Sequence, residues 1–253
     1  MSVEEWTSYH WLLGFSFISA PIVCALLLFI DAPYGRFSRS GWGPEVSSRW
    51  AWCIMESPAV IVFGYLVLTA PRQGVMLWLF FLMWQAHYVH RTFIYPFSLK
   101  SSHGMPLIVL LMAIVFNVIN GYLNGTNLRL NAQEDITAEW HTGWQFQIGL
   151  TLFVLGMIIN KVSDAELSSI RIDATQGYKI PIKFLHQYVS CPNYLGEIVQ
   201  WCGWALATWS LAGLSFALWT IANLFPRALA THRWYIANFP DYPNRKALIP
   251  GIL

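Results

Sequence analysis

Long apolar runs separated by short polar clusters dominate this chain. No Asp, Glu, Lys or Arg occurs in residues 6–30, 104–128 or 140–160. Residues 73–90 are equally free of them, and residues 50–70 contain Glu56 alone. About 20 mainly apolar residues cross a hydrocarbon core ~30 Å thick, so each run predicts a membrane-spanning helix. The last run, residues 198–226, is too long for one crossing: its 29 residues would rise about 43 Å as a single helix. The polar break S-L-A-G at Ser210 to Gly213 divides it into a hairpin. Its first arm starts near Pro192 and its second runs to about Leu229. The expected fold is therefore all-α: a polytopic membrane protein of seven transmembrane helices in one domain, 1–253.

Charge orients these spans. With seven crossings, the segments at 31–49, 91–103 and 161–191 and the tail lie on one side. They hold 13 of the 15 Lys and Arg, all but Arg72 and Arg129. Six crossings would reduce the split to 9 against 6. Basic loops stay in the cytosol, so the N-terminus is expected outside and the C-terminus in the cytosol. Glu4 and Glu5 precede the first run, where a signal peptide would be basic. The four cysteines show neither paired nor metal-binding spacing and read as small buried hydrophobes. Asn124-Gly125-Thr126 is formally a glycosylation sequon, read here as a chance match.

Polar residues inside the runs carry the chemical information. An ionisable group in lipid costs roughly 2.5–3.5 kcal/mol on insertion scales, so Glu56 marks function by default. Tyr88, Arg91, Thr92 and Tyr95 share one helical face at the end of the third span. Asn160 and Asp164 are one turn apart at the end of the fifth, with Arg171 two turns further on. Asn193 and Glu197 repeat the spacing after Pro192, a residue suited to a first helical turn. Acceptors and amides gather with Arg36, Arg91 and Arg171 near the cytosolic span ends. Guanidiniums pair bidentately with phosphates, so the set fits a phosphorylated nucleotide approached from the cytosol. No glycine-rich dinucleotide fingerprint and no phosphate-loop lysine accompanies it. His87 and His90 lack further ligands, so no metal is expected.

Several ordered motifs over almost the whole chain resemble the steroid 5α-reductase family. They are A-P-Y-G-R-F-S at 32–38, H-Y-V-H-R-T-F-I-Y at 87–95, N-G-Y-L at 120–123, N-K-V-S-D at 160–164, N-Y-L-G-E at 193–197 and A-L-A-T-W-S at 205–210. The tail H-R-W-Y…F-P-D-Y-P-N-R-K-A-L-I-P is the most specific of them. The resemblance implies a seven-helix reductase that takes NADPH from the cytosol and reduces the 4,5 double bond of 3-oxo-Δ4-steroids. By position, Glu56 and Tyr88 match the pair that contacts the substrate carbonyl. Asn160, Asp164, Arg171, Tyr178, Asn193, Glu197 and Tyr235 match cofactor contacts, and Arg36, Arg91 and Tyr95 join them near the phosphates. Trp52, Trp201 and Phe216 match the lining of the substrate region. Departures occur at Met55, Trp219 and Thr231; some mammalian members have a histidine at the last.

Enone reduction places a hydride on the β carbon while negative charge grows on the carbonyl oxygen. Preorganised donors at that oxygen supply much of the barrier lowering. The Tyr88 phenol is one such donor, and a neutral, buried Glu56 is another. Membrane lipids and a steroid or related lipid are the expected partners, with no nucleic acid and no obligate protein partner. The host membrane would be the inner membrane of a bacterium or the endoplasmic reticulum of a eukaryote. Related substrates (a polyprenol, a sterol, a trans-2-enoyl-CoA) form the alternative, and a lipid transporter or sensor the non-enzymatic one.

Overall fold

The computed structural model describes residues 3–98, 104–131, 139–170 and 178–253, with side chains from Thr7 onward. Ten helices and strands organise these residues. In chain order they are α1 (Val3–Phe29), β1 (Glu45–Ser47), α2 (Ser48–Leu68), α3 (Val75–Phe93), α4 (Tyr95–Ser98), β2 (Gly104–Pro106), α5 (Leu107–Asn131), α6 (Trp144–Ile170), α7 (Pro192–Thr208) and α8 (Leu211–Asn238). Four of them, α1, α2, α5 and α6, are long and apolar enough to cross a membrane. Of the other three long helices, α7 is shorter, at 17 residues, and α3 and α8 carry indoles, imidazoles and hydroxyls among their apolar residues. Large apolar side chains cover the outside: Trp11, Phe15 and Ile22 on α1, Ile61 on α2, Met112 and Val115 on α5, Ile158 on α6. A contiguous apolar exterior of this extent belongs to a protein in lipid.

The expected hairpin is present. It turns at Trp209, which adopts the left-handed conformation that often ends a helix, and at Ser210, whose Oγ accepts the Gly213 amide at 3.0 Å. Its second arm continues to Asn238, well past Leu229. Backbone hydrogen bonding carries it through the polar stretch after Arg227, where hydropathy alone gives no reason to extend it. The all-α expectation also missed a small staple. β1 and β2 pair antiparallel, with Val46 opposite Met105, and tie the loop after α1 to the start of α5.

Two interfaces set the helix positions. Along α6 and α7, Gly149, Gly156, Gly196 and Gly203 face the partner backbone. A methyl built on any of them would fall within 2.5 Å of a backbone nitrogen on the other helix. Small residues of this kind let helices in lipid approach closely. The second interface is an aromatic core. Phe63 stacks on Trp84 with centroids 4.4 Å apart, and Trp84 reaches Trp201 and Trp204 edge-on or tilted. The buried face of α3 (Phe80, Trp84, His87, Tyr88, Thr92) follows helical periodicity and packs into that core.

Candidate active site

Helix ends and one proline-containing helix position the polar residues. Pro58 lacks the amide that would bond the Ile54 carbonyl, and Ser57 Oγ takes that carbonyl instead at 2.9 Å. Glu56 lies two residues before Pro58 in α2. Asn117 on α5 donates to Glu56 Oε2 at 3.3 Å and to the Met55 carbonyl at 2.7 Å. One turn along α5, Asn120 donates to the Tyr88 hydroxyl at 3.3 Å. Glu56 and Tyr88, from different helices, are thus held by neighbouring amides of a third. The Tyr88 ring is flanked by Trp201 at 5.6 Å and Phe216 at 6.5 Å, and Trp201 and Phe216 touch with centroids 4.3 Å apart. Two of the three residues expected to line the substrate region, Trp201 and Phe216, are therefore buried beside Tyr88, while the third, Trp52, lies under Arg91.

The glycine seam joins Asn160 and Asp164 of α6 to Asn193 and Glu197 of α7. Asn160 donates to the Asn193 carbonyl at 3.0 Å and, at 3.5 Å, to Glu197. Asn193 donates to Asp164 at 3.0 Å. Arg91 closes the group, lying 3.4 Å from Asp164 and 3.6 Å from Glu197. Its guanidinium also stacks on Trp52 and Tyr95, each 4.5 Å away. Tyr95 keeps that position although α3 ends two residues before it.

Beyond Arg91 opens a cavity of about 150 Å³. Its wall includes Arg36, Trp52, Arg91, Tyr95, Asp164, Asn193 and Tyr235 from the expected set. Arg36 lies over the rings of Tyr178, Trp234 and Tyr235 and donates to the Tyr235 hydroxyl at 3.4 Å. Glu56, Tyr88, Asn160, Glu197, Tyr178, Trp201 and Phe216 stand outside this wall. Arg171 lies outside the described residues. Thr231, at a departure from the family pattern, lines the cavity and is buried. Trp219, at another, donates to the Ser16 carbonyl at 2.9 Å and so joins α8 to α1.

Sequence reasoning missed Arg227. It also lines the cavity, donates through Nε to the Tyr194 hydroxyl at 2.9 Å and sits 3.9 Å over the Tyr34 ring. The missed signal was its place in the apolar run L-F-P-R-A-L-A. Ending α8 near Leu229 made Arg227 an interfacial charge rather than an internal one. Nη1 of Arg227 and Nη1 of Arg36 are both buried, with no hydrogen-bond partner among the described residues. Two guanidiniums that line one cavity and each keep an unpaired nitrogen fit an anionic ligand such as a phosphate. His87 is accounted for otherwise: its Nδ1 meets Gln200 Oε1 at 3.2 Å inside the core. Asn124 of the formal sequon is buried mid-helix, bonded to Trp204.

The polar end of the site rests on the tail. Ser190 Oγ lies 2.7 Å from both His232 Nδ1 and the Tyr242 hydroxyl. Arg245 donates to Tyr242 at 2.9 Å, to the Pro181 carbonyl at 2.9 Å and to the His186 carbonyl. Burial holds the His186 imidazole down, to about 4, and the Arg245 charge acts in the same direction.

Comparison with known proteins identifies the family. Residues 103–253 match the family model described as 3-oxo-5-alpha-steroid 4-dehydrogenase. The chain is 39% identical to the steroid 5-alpha-reductase DET2 of Arabidopsis thaliana over 262 aligned positions, covering 99% of this chain and 98% of that protein. It is 38% identical to 3-oxo-5-alpha-steroid 4-dehydrogenase 1 of Bos taurus, with 92% of each chain covered, and 40% identical to that of Rattus norvegicus, with 88% and 87% covered. Family match, near full-length similarity and an assembled polar site converge: the chain belongs to the steroid 5-alpha-reductase family of oxidoreductases.

Proposed function

We propose that this protein reduces the 4,5 double bond of a 3-oxo-Δ4-steroid, such as testosterone or progesterone, to the 5α-dihydro product, using NADPH. The observation that carries the cofactor reading is the cavity wall. The cavity is lined by Arg36 and Arg227, each with one unpaired guanidinium nitrogen, and by the hydrogen-bonded Asp164 and Asn193. The guanidiniums would hold phosphate, and the amide and carboxylate groups of Asn160, Asp164, Asn193 and Glu197 would take ribose hydroxyls or a carboxamide. Arg91, Tyr95, Arg171, Tyr178 and Tyr235 complete the proposed cofactor set. Ligand pockets of this class run to about 300–1,000 Å³, so loading a whole dinucleotide requires side chains around the cavity to part.

When bound, the nicotinamide supplies the hydride for C5. The protein's own part is to hold the enone and stabilise the charge that grows on its C3 oxygen. Tyr88 and a neutral Glu56 would both donate to that oxygen, each fixed by an α5 amide. Aromatic side chains around Tyr88 exclude water, which strengthens such donors. The ends of α1, α3, α6 and the N-termini of α2 and α7 meet at one end of the bundle. That alternation supports seven crossings, with the cavity on the cytosolic side where most basic residues lie.

The test is product identification after incubating the purified protein with NADPH and a 3-oxo-Δ4-steroid. A 5α-dihydro-steroid is expected. Glu56→Gln should lower the chemical step by about a hundredfold, and Tyr88→Phe should act similarly, the range for losing an oxyanion donor. No steroid product, or normal turnover in both variants, would overturn the reading.

A further inference from the structure

The amides of α5 form a hydrogen-bond chain whose direction is fixed from one end. Trp204 is fully buried, and its indole N–H can only donate; it meets Asn124 Oδ1 at 2.9 Å. With its oxygen committed, Asn124 must present its NH₂ onward, and Nδ2 reaches Asn120 Oδ1 at 2.9 Å and the Asn120 carbonyl at 3.1 Å. Asn120 then has its own NH₂ facing Tyr88, 3.3 Å from the hydroxyl. Turning either amide over would set donor against donor. Asn124, Asn120 and Tyr88 are all buried, so bulk solvent does not compete for these groups.

The chain decides what Tyr88 does with its proton. The phenol oxygen accepts from Asn120, so its O–H must point elsewhere. Among the described residues Asn120 is the one hydrogen-bond partner found for that hydroxyl. An acceptor at position 120 would draw the proton inward and leave Tyr88 with no donor to offer. We infer that Asn120, oriented by Asn124 and Trp204, is a positioning residue that compels Tyr88 to donate its proton to the substrate carbonyl. Asn117 acts in parallel on Glu56: its NH₂ occupies Oε2, which leaves Oε1 to carry the acid proton. This inference rests on the role proposed for Tyr88. It adds that the donor's direction is built into the second layer of the site, and that bonds polarised along one chain strengthen the last donor.

The experiment uses the full-length protein in detergent and measures kcat and both KM values for Asn120→Ala, Asn120→Asp, Tyr88→Phe and the two double variants. An NADPH-induced rise in Tm establishes folding. Asn120→Ala should lower kcat about tenfold. Asn120→Asp, which replaces the donor by an acceptor, should approach the hundredfold loss of Tyr88→Phe. Both KM values should stay within about threefold of the parent, and neither substitution should lower kcat further once Tyr88 is phenylalanine. If Asn120→Asp does not fold, Asn120→Ala carries the same comparison. The relay is overturned if the Asn120 variants keep kcat within about threefold while Tyr88→Phe loses it, or if they lose as much in the Tyr88→Phe background. Normal turnover in Tyr88→Phe would instead overturn the proposed function of Tyr88, and the relay with it.

Discussion

Gly196→Ala is the sharpest test of how α7 builds the polar end of the site. A methyl at position 196 would lie 2.5 Å from the Asn160 nitrogen and 2.7 Å from the Gly156 carbonyl oxygen. Ordinary van der Waals contact begins near 3.4 Å. Both obstacles are backbone, so no side chain can swing away, and α6 and α7 must part by roughly 1 Å here, a change packed interiors transmit rather than absorb. The Asn160 to Asn193 bond, now 3.0 Å, would then stretch to about 4 Å, beyond hydrogen-bonding reach. Overpacking of this kind costs about 1–3 kcal/mol and the lost bond about 1 more. That sum corresponds to a Tm lower by about 5–15 °C for a chain of this size. Since the shift separates Asn160 from Asn193 and Glu197, the KM for NADPH should rise by about tenfold, while the KM for steroid moves little. Gly14→Ala is the control, because nothing stands within 4 Å of that position and alanine favours a helix. Tm by fluorescence, with and without NADPH, and initial rates over both substrates decide the matter. A Gly196→Ala protein with parental Tm and parental NADPH dependence would refute the seam as the element that sets these residues.

Further outcomes are expected at the cavity and the tail. Arg227→Leu should raise the NADPH requirement by about tenfold or more and leave the steroid KM near the parent value, read from rates over both substrates; an unchanged requirement removes Arg227 from the phosphate site. His186 gives a pH dependence. Its folded value of about 4 lies below the ordinary value near 6.5, so the unfolded chain binds the extra proton first. Its contribution is complete above pH ~6.5 and is lost as pH falls towards 4, by up to about 3 kcal/mol. His186→Asn should flatten the fall of Tm between pH 6.5 and 4.5, and an identical fall in both proteins counts against it. Arg245→Leu strands the Pro181 and His186 carbonyls and should cost about 2–4 kcal/mol, seen as a lower Tm and faster tail proteolysis.

How far the sequence could be read depends on whether a property belongs to one segment or to a pair. Apolar runs and the face of α3 are single-segment properties, and the structure has helices where the runs lie. The break at Ser210 was legible for the same reason, since a polar cap in an apolar stretch acts locally. The end of α8 was not, because hydropathy fades before helical hydrogen bonding does. That error hid Arg227. The pairing of Val46 with Met105 joins segments about 60 residues apart and leaves no trace in three-residue strands. Arg171 lies outside the described residues, so its assignment remains a proposal.

Pairing also explains why the same residue type reads differently from place to place. Gly149 and Gly156 on α6, and Gly196 and Gly203 on α7, repeat at seven residues on each helix, a spacing that puts small residues on one stripe. The stripe alone does not say which helix it meets; only the contact of the two stripes brings Asn160 and Asp164 to Asn193. Asn124 makes the same point from the other side. As a string of letters it begins a glycosylation sequon. In the fold it is a buried link between a donor-only indole and the amide that holds Tyr88. A polar group in an apolar interior is expensive unless its bonds are satisfied, and side-chain amides in these helices find partners on neighbouring helices. The asparagine partners lead to the site: Asn117 to Glu56, Asn124 and Asn120 to Tyr88, and Asn160 and Asn193 to the carboxylates that face Arg91. The energetic demand that buried amides be paired and the chemical demand for aimed donors are therefore met by the same contacts.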